Sequence, residues 1–224
     1  MVSPARLVAG RDGAFALHAA MVEGNIGPTP VFLRGFTDPN NTARNLPLVG
    51  PTISIANNGR NQTLSIELTN TLPVEPPSSI AAPGPVTQPA LNEAPHGFNT
   101  INLHTHGLHV DPLEDNVFIE LQPQGSGPSA PCTPTRANPV WVCNGSFAYT
   151  YHFGRTPNGT TRIPAGTYWY HPHKHGSVGI QVTSGMAGAF VVRGDLDDLV
   201  GVKDLTEHTL VVQYIPFTPG STPQ

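Results

Sequence analysis

"TLSIEL", Thr63 to Leu68, alternates Leu64, Ile66 and Leu68 with Thr63, Ser65 and Glu67. Successive side chains of a strand point to opposite faces, so a period of two puts the aliphatic residues on one side and the polar ones on the other. The stretch therefore reads as a half-buried strand. "TISIA", Thr52 to Ala56, precedes it, and "NNGR" between the two is turn chemistry. Further outward, strand patterns recur in "NTINLHTH", "FAYTYHF", "GTYWYH", "GAFVVR" and "HTLVVQYI". No window has a helical period. The 23 Gly and 25 Pro among 224 residues supply the turns. Many short strands with Gly/Pro punctuation predict an all-β sandwich or barrel.

Charge and composition remove several functional classes. The formal net charge is -4, and Lys occurs only at 174 and 203, so no basic patch is available for nucleic acid. No segment approaches the roughly 18 apolar residues of a membrane-spanning helix. The N-terminal "MVSPARLVAGRDGAFALHAAMVEG" is weakly apolar and interrupted by Arg6, Arg11 and Asp12, and does not read as a secretory signal. Cys132 and Cys143 lie in a Pro-rich region and form either a local disulfide or two free thiols.

The chemistry concentrates in two histidine clusters. In "LHTHGLHV", Leu103 to Val110, His104 and His106 are two apart. On a strand they share a face with Asn102, while Ile101 and Leu103 point into apolar packing. In "YHPHKHGS", Tyr170 to Ser177, His171 and His173 share a face with Trp169 if the strand runs on through Pro172. Each motif is closely followed by a glycine, Gly107 or Gly176. Two strands would then each present a pair of imidazoles, close enough to converge on one metal or to serve two adjacent ones. Neutral imidazole suits copper, zinc, iron and nickel alike.

"NLHTHG" followed by "DNVF", and then "GTYWYHPHKHGS…SGMAGAFVV", resembles the N-terminal cupredoxin (plastocyanin-like) domain of the multicopper oxidases, the laccase-like enzymes. "LPLVGPTISIANNGRNQTLSIELTNTLP" is similar to the opening strands of that domain. The likeness runs from about Val31 to Arg193, and it implies a cupredoxin-like Greek-key β-sandwich or barrel. In that family four HxH motifs, two from the first domain and two from the last, ligate a trinuclear copper cluster. The cluster reduces O2 to water with electrons delivered singly from a type 1 copper. Carried onto this sequence, the resemblance implies His104 as the type 2 copper ligand, and His106, His171 and His173 as ligands of the type 3 pair. It implies that Asp115, in "PLEDN", assists protonation beside the cluster; the residue alone reads equally as a solvated turn aspartate. The implied partners are O2, a small reducing substrate such as a phenol or metal ion, and the remaining cupredoxin domains. The implied location is periplasmic or extracellular.

The likeness is incomplete. A type 1 site needs two His, one Cys and a weak axial ligand. Cys132 in "PCT", Cys143 in "VCN" and Met186 in "SGMAG" lack that setting, and there is no separate third or fourth HxH beyond these two clusters. The expectation is half of a cluster with no electron entry port, in a piece of a longer oxidase that is inactive alone. The expected divisions are an N-terminal extension over 1–30, the cupredoxin-like domain over 31–194, a linker over 195–206 and the start of a second domain over 207–224. A non-catalytic copper-binding module is the alternative. A mononuclear cupin-type site is disfavoured, because Val110 and Asp111 stand where a cupin would place its Glu. His175, His109, His18, His96, His152 and His208 read as hydrogen-bonded or solvent-exposed rather than ligating, and Tyr168, Trp169 and Tyr170 as core packing. Asn40, Asn61, Asn144 and Asn158 head glycosylation sequons, which matter only in a eukaryotic secretory host.

Overall fold

The computed structural model describes residues 6–9, 13–41, 47–56, 62–80, 94–127, 132, 141–153 and 163–217. The strands are β1 (Arg6–Ala9), β2 (Gly13–Ile26), β3 (Thr29–Thr37), β4 (Thr52–Ala56), β5 (Gln62–Asn70), β6 (His104–His106), β7 (Ile119–Gln122), β8 (Trp141–Asn144), β9 (Ser146–Phe153), β10 (Gly166–His171) and β11 (Gly188–Arg193). They form a five-stranded sheet in the order β1-β4-β11-β10-β6 and a four-stranded sheet in the order β3-β2-β5-β9, with β7 and β8 as a separate pair. This is the all-β sandwich expected from the alternation, with the jumps in strand order of a Greek key.

β5 shows why the sequence chooses this architecture. Leu64, Ile66 and Leu68 are fully buried, whereas Thr63, Ser65 and Glu67 are not. Their partners across the core include Ile53 and Ile55 of β4 and Phe190 of β11. Phe153 of β9 stacks on Phe190 at 6.5 Å between centroids, which joins the two sheets. Tyr170 is fully buried, and its hydroxyl donates to the Pro51 carbonyl at 2.6 Å. Gly188 faces Tyr170 in the register; a Cβ there would fall 2.3 Å from the phenol ring and oxygen. Glycine is required for that close approach.

Several expectations are corrected. Residues 1–30 are not simply an extension: β1 pairs in parallel with β4, and β2 lies between β3 and β5. The signal was weak because the outward-facing positions of β2 include Ala14 and Ala16, so alanine falls on both faces and blurs the alternation. "NTINLHTH" is not one strand. Ile101 makes an isolated bridge to Leu121, and β6 covers only His104–His106. A short helix, α1 (Pro77–Ile80), and a second, α2 (Val178–Thr183), were not foreseen. The expected strand after His208 is absent among the described residues. Residues 207–217 run without assigned structure, anchored by Arg193 to Glu207 and by Gln213 Nε2 to the Gly185 carbonyl at 3.2 Å. "NNGR" lies outside the described residues. Cys132 and Cys143 are joined as a disulfide.

Candidate metal centre

Antiparallel pairing of β6 with β10 builds the site. The register sets His104 opposite His171 and His106 opposite Trp169, with Thr105 opposite Tyr170 on the other face. Thr105 and Tyr170 are buried, so their burial fixes which way the imidazoles point. Upstream, the Leu103 side chain is in the core and its N–H donates to the Tyr149 hydroxyl at 3.0 Å.

Four of the expected residues meet here. His106 Nδ1 and His171 Nε2 approach to 3.2 Å. Two imidazole nitrogens each about 2.0–2.1 Å from one tetrahedral ion would be separated by about that distance. One imidazole nitrogen from each of His104, His106 and His171 lies within 4.8 Å of the other two, so the three could hold a metal ion. His173 stands beside this trio, its ring 5.0 Å from that of His104 and 6.0 Å from that of His171. It is not on the strand, which ends at His171 before Pro172. Its N–H instead donates to Asn102 Oδ1 at 2.6 Å, and Asn102 Nδ2 donates to the Val117 carbonyl at 2.6 Å. Asn102 thus clamps one histidine motif to the other. The sequence placed Asn102 on the right face but gave no sign of this bond.

The donor set fits a metal cation. His173 Nδ1 is buried without a hydrogen-bond partner, a polar atom that a cation would satisfy. Burial pushes the His171 imidazole down to about 4, and neighbouring imidazoles add to that; burial lowers His173 as well. Both are therefore neutral near pH 7, the form that binds metal.

Asp115 is 7% exposed, not a solvated turn residue. Its Oδ2 lies 2.5 Å from His104 Nδ1, and its Oδ1 accepts from the Thr105 N–H and hydroxyl, each at 2.9 Å, and from the Tyr151 hydroxyl at 3.3 Å. Burial, and then the Asp115 charge, raise the Tyr151 phenol well above its ordinary value, so it stays a proton donor. With Nδ1 held by the carboxylate, His104 presents Nε2 outward, the carboxylate–histidine arrangement that orients metal ligands.

Trp169 is corrected from core to site wall. It is 40% exposed and stacks on His106 at 4.7 Å and on His171 at 4.2 Å. Alternation on β10 could have revealed it, since Tyr170 and Trp169 must face opposite ways. The other histidines lie outside the trio. His109 is exposed after Gly107. His175 sits on the turn before α2, its ring 5.9 Å from that of His173. His96 bonds the Ala94 carbonyl, and His152 pairs with Glu114 at 2.7 Å. His208 is exposed, and His18 lies within β2.

Comparison with known proteins points the same way. Residues 148–197, which include β10 and the second histidine motif, match the family model described as "Multicopper oxidase". The fold is similar to that of the McoA multicopper oxidase 2F4 variant from the hyperthermophile Aquifex aeolicus, with a TM-score of 0.50 and 19% identity over 87% of this chain. A bacterial laccase-like multi-copper oxidase, CueO from Ochrobactrum sp., aligns with a TM-score of 0.47 and 20% identity over 87% of this chain. The chain spans 30% of the length of each. The resemblance drawn from the histidine motifs and the cupredoxin-like fold class are both borne out.

Proposed function

Proceeding from a cupredoxin-like domain of multicopper oxidase type, we propose that this chain contributes half of the ligands of a trinuclear copper centre. The centre belongs to an oxidase that reduces O2 to water while a small reductant, a phenol or a metal ion, is oxidised one electron at a time. His106 and His171 would hold one copper of the type 3 pair, His173 the other, and His104 the type 2 copper. Bound copper supplies the one-electron redox chemistry that side chains lack.

The chain's own residues bind, orient and shield. Asp115 fixes the His104 tautomer and is the group placed to hold a proton at the rim of the site, with the Tyr151 hydroxyl donating to it. Trp169 covers one flank of His106 and His171 against water. The observation that carries the reading is the 3.2 Å approach of His106 Nδ1 to His171 Nε2. Both cysteines are bonded to each other, so neither offers a thiolate to a type 1 site. The remaining ligands and the electron entry port are therefore assigned to further cupredoxin domains, in keeping with a chain that spans 30% of its structural relatives. The disulfide supports an oxidising compartment, the periplasm or the cell exterior.

Titration of the purified chain with Cu(II), followed by EPR, tests the proposal. Histidine-ligated copper without an intense blue thiolate band is expected, and His106→Ala and His171→Ala should each abolish retention. Tight stoichiometric zinc in the purified protein, or copper retention unchanged in both variants, would overturn it.

A further inference from the structure

Lys174 stands between His173 and His175, yet its side chain is 3% exposed. A buried ammonium is costly unless it is paired, and an apolar side chain of similar length could fill the same space without that cost. Packing alone does not call for lysine here. The directions of its bonds do. Nζ lies 3.1 Å from His96 Nε2, donates to the His175 carbonyl at 2.9 Å and faces Glu120 Oε1 at 3.9 Å.

His96 is itself fixed. Its Nδ1 is 2.6 Å from the Ala94 carbonyl, and its backbone N–H donates to the Gly176 carbonyl at 3.0 Å. A ring nitrogen facing a carbonyl must carry the proton, which leaves the Nε2 lone pair for Lys174. The Lys174 carbonyl accepts the N–H groups of Ser177 and Val178 at the entry to α2. The fit is close: a Cβ at Gly176 would fall 2.2 Å from His96 Nδ1, and one at Gly97 would fall 3.4 Å from Lys174 Nζ. Segment 94–96 and the loop 172–177 are thus tied together at the Lys174 ammonium, and the start of α2 is tied to the same residue through its carbonyl.

We propose that Lys174 is a positioning residue for the metal centre: its ammonium, clasped by His96 and the His175 carbonyl, holds the loop carrying His173 against segment 94–96 and so fixes where His173 stands. Its consequence for copper rests on the proposed function. Its consequence for the metal-free protein does not.

The test uses Lys174→Met, His96→Leu and the double variant in the 224-residue chain. Amide hydrogen exchange at His173 is measured without metal and compared with Leu68, in the middle of β5. Cu(II) affinity and the number of imidazoles coupled to Cu(II) in pulsed EPR are measured afterwards. Lys174→Met should speed exchange at His173 about tenfold or more relative to Leu68, weaken copper binding by about tenfold or more, and remove one coupled imidazole. His96→Leu should do the same, and the double variant no more than either. A purely structural role would move His173 and Leu68 together and leave the imidazole count intact, and either result overturns the proposal. If the parent chain takes up no Cu(II), the proposed function falls, while the contrast between His173 and Leu68 still decides the role of Lys174. Should Lys174→Met not fold, Lys174→Gln, which keeps a donor in the same pocket, is read by the same contrast.

Discussion

Asp115→Asn separates the two tasks that one carboxylate performs. The amide oxygen can keep the three bonds now made to Oδ1, from the Thr105 N–H, the Thr105 hydroxyl and the Tyr151 hydroxyl. The NH2 then replaces the oxygen that lies 2.5 Å from His104 Nδ1. An NH2 can only donate, so His104 Nδ1 must become the acceptor and the ring proton moves to Nε2. That nitrogen is the one that would face a bound metal, and it could no longer ligate. Loss of such an orienting partner costs about 10–100-fold in metal affinity, or about 1.4–2.7 kcal/mol. Fold stability should fall by only about 1 kcal/mol, because charge-assisted bonds become neutral ones. Asp115→Ala should behave differently. It strands three buried donors at about 1–3 kcal/mol each, so both stability and affinity collapse. The assay is quenching of Trp169 fluorescence by Cu(II) in a Trp141→Phe background, which leaves Trp169 as the only tryptophan. Its ring lies 4.7 Å from that of His106 and 4.2 Å from that of His171. An Asp115→Asn chain that binds copper as tightly as its parent would refute the tautomer argument.

Gly188→Ala should destabilise by about 1–3 kcal/mol, because its Cβ would enter the Tyr170 ring; at about 2–4 °C per kcal/mol the melting temperature drops accordingly. An unchanged melting temperature would contradict the packing. Cys132→Ser with Cys143→Ser opens a loop with a sequence separation of 11. It should cost about 2.8 kcal/mol on the loop-entropy account, read from urea denaturation. In the metal-free chain, His171 should titrate near 4 by NMR because burial opposes its charging. The unfolded chain takes up this proton near 6.5 and the folded chain does not. Stability should therefore fall by up to about 3 kcal/mol as pH drops from about 6.5 towards 4, then level off. An ordinary imidazole titration at His171 would remove that slope.

The readable parts of the sequence were those in which alternation and chemistry coincide. Leu64, Ile66 and Leu68 marked β5, because large aliphatic residues occupy every inward position. The two HxH motifs marked the site, because imidazoles two apart on a strand share a face whatever the sheet around them. β2 escaped notice since alanine occurs on both of its faces. How His173 reaches the site was not legible, for a different reason. Pro172 ends the strand, and from there a side-chain bond to Asn102, 71 residues away, takes over from strand geometry. Asp115 could be matched to a role through the resemblance, yet its burial and its bonds to Thr105 and Tyr151 arise only when three distant segments pack. Tertiary hydrogen bonds of this kind leave no periodic trace.

The first two strands have a bearing on how the protein is handled and how it folds. β1 and β2 belong to different sheets, and each pairs with a strand about fifty positions later, Arg6 with Thr52 and Gly13 with Leu64. β1 and the opening residues of β2, Gly13 to Leu17, must therefore wait for those later strands, while the rest of β2 can pair at once with β3; the long-range pairings are a high-contact-order arrangement that slows folding. A chain shortened to begin at Val31 would strip β4 of one neighbour, β5 of one neighbour and β3 of its only partner. Such bare edges recruit strands from other molecules, so the shortened protein should precipitate rather than simply lose a tail.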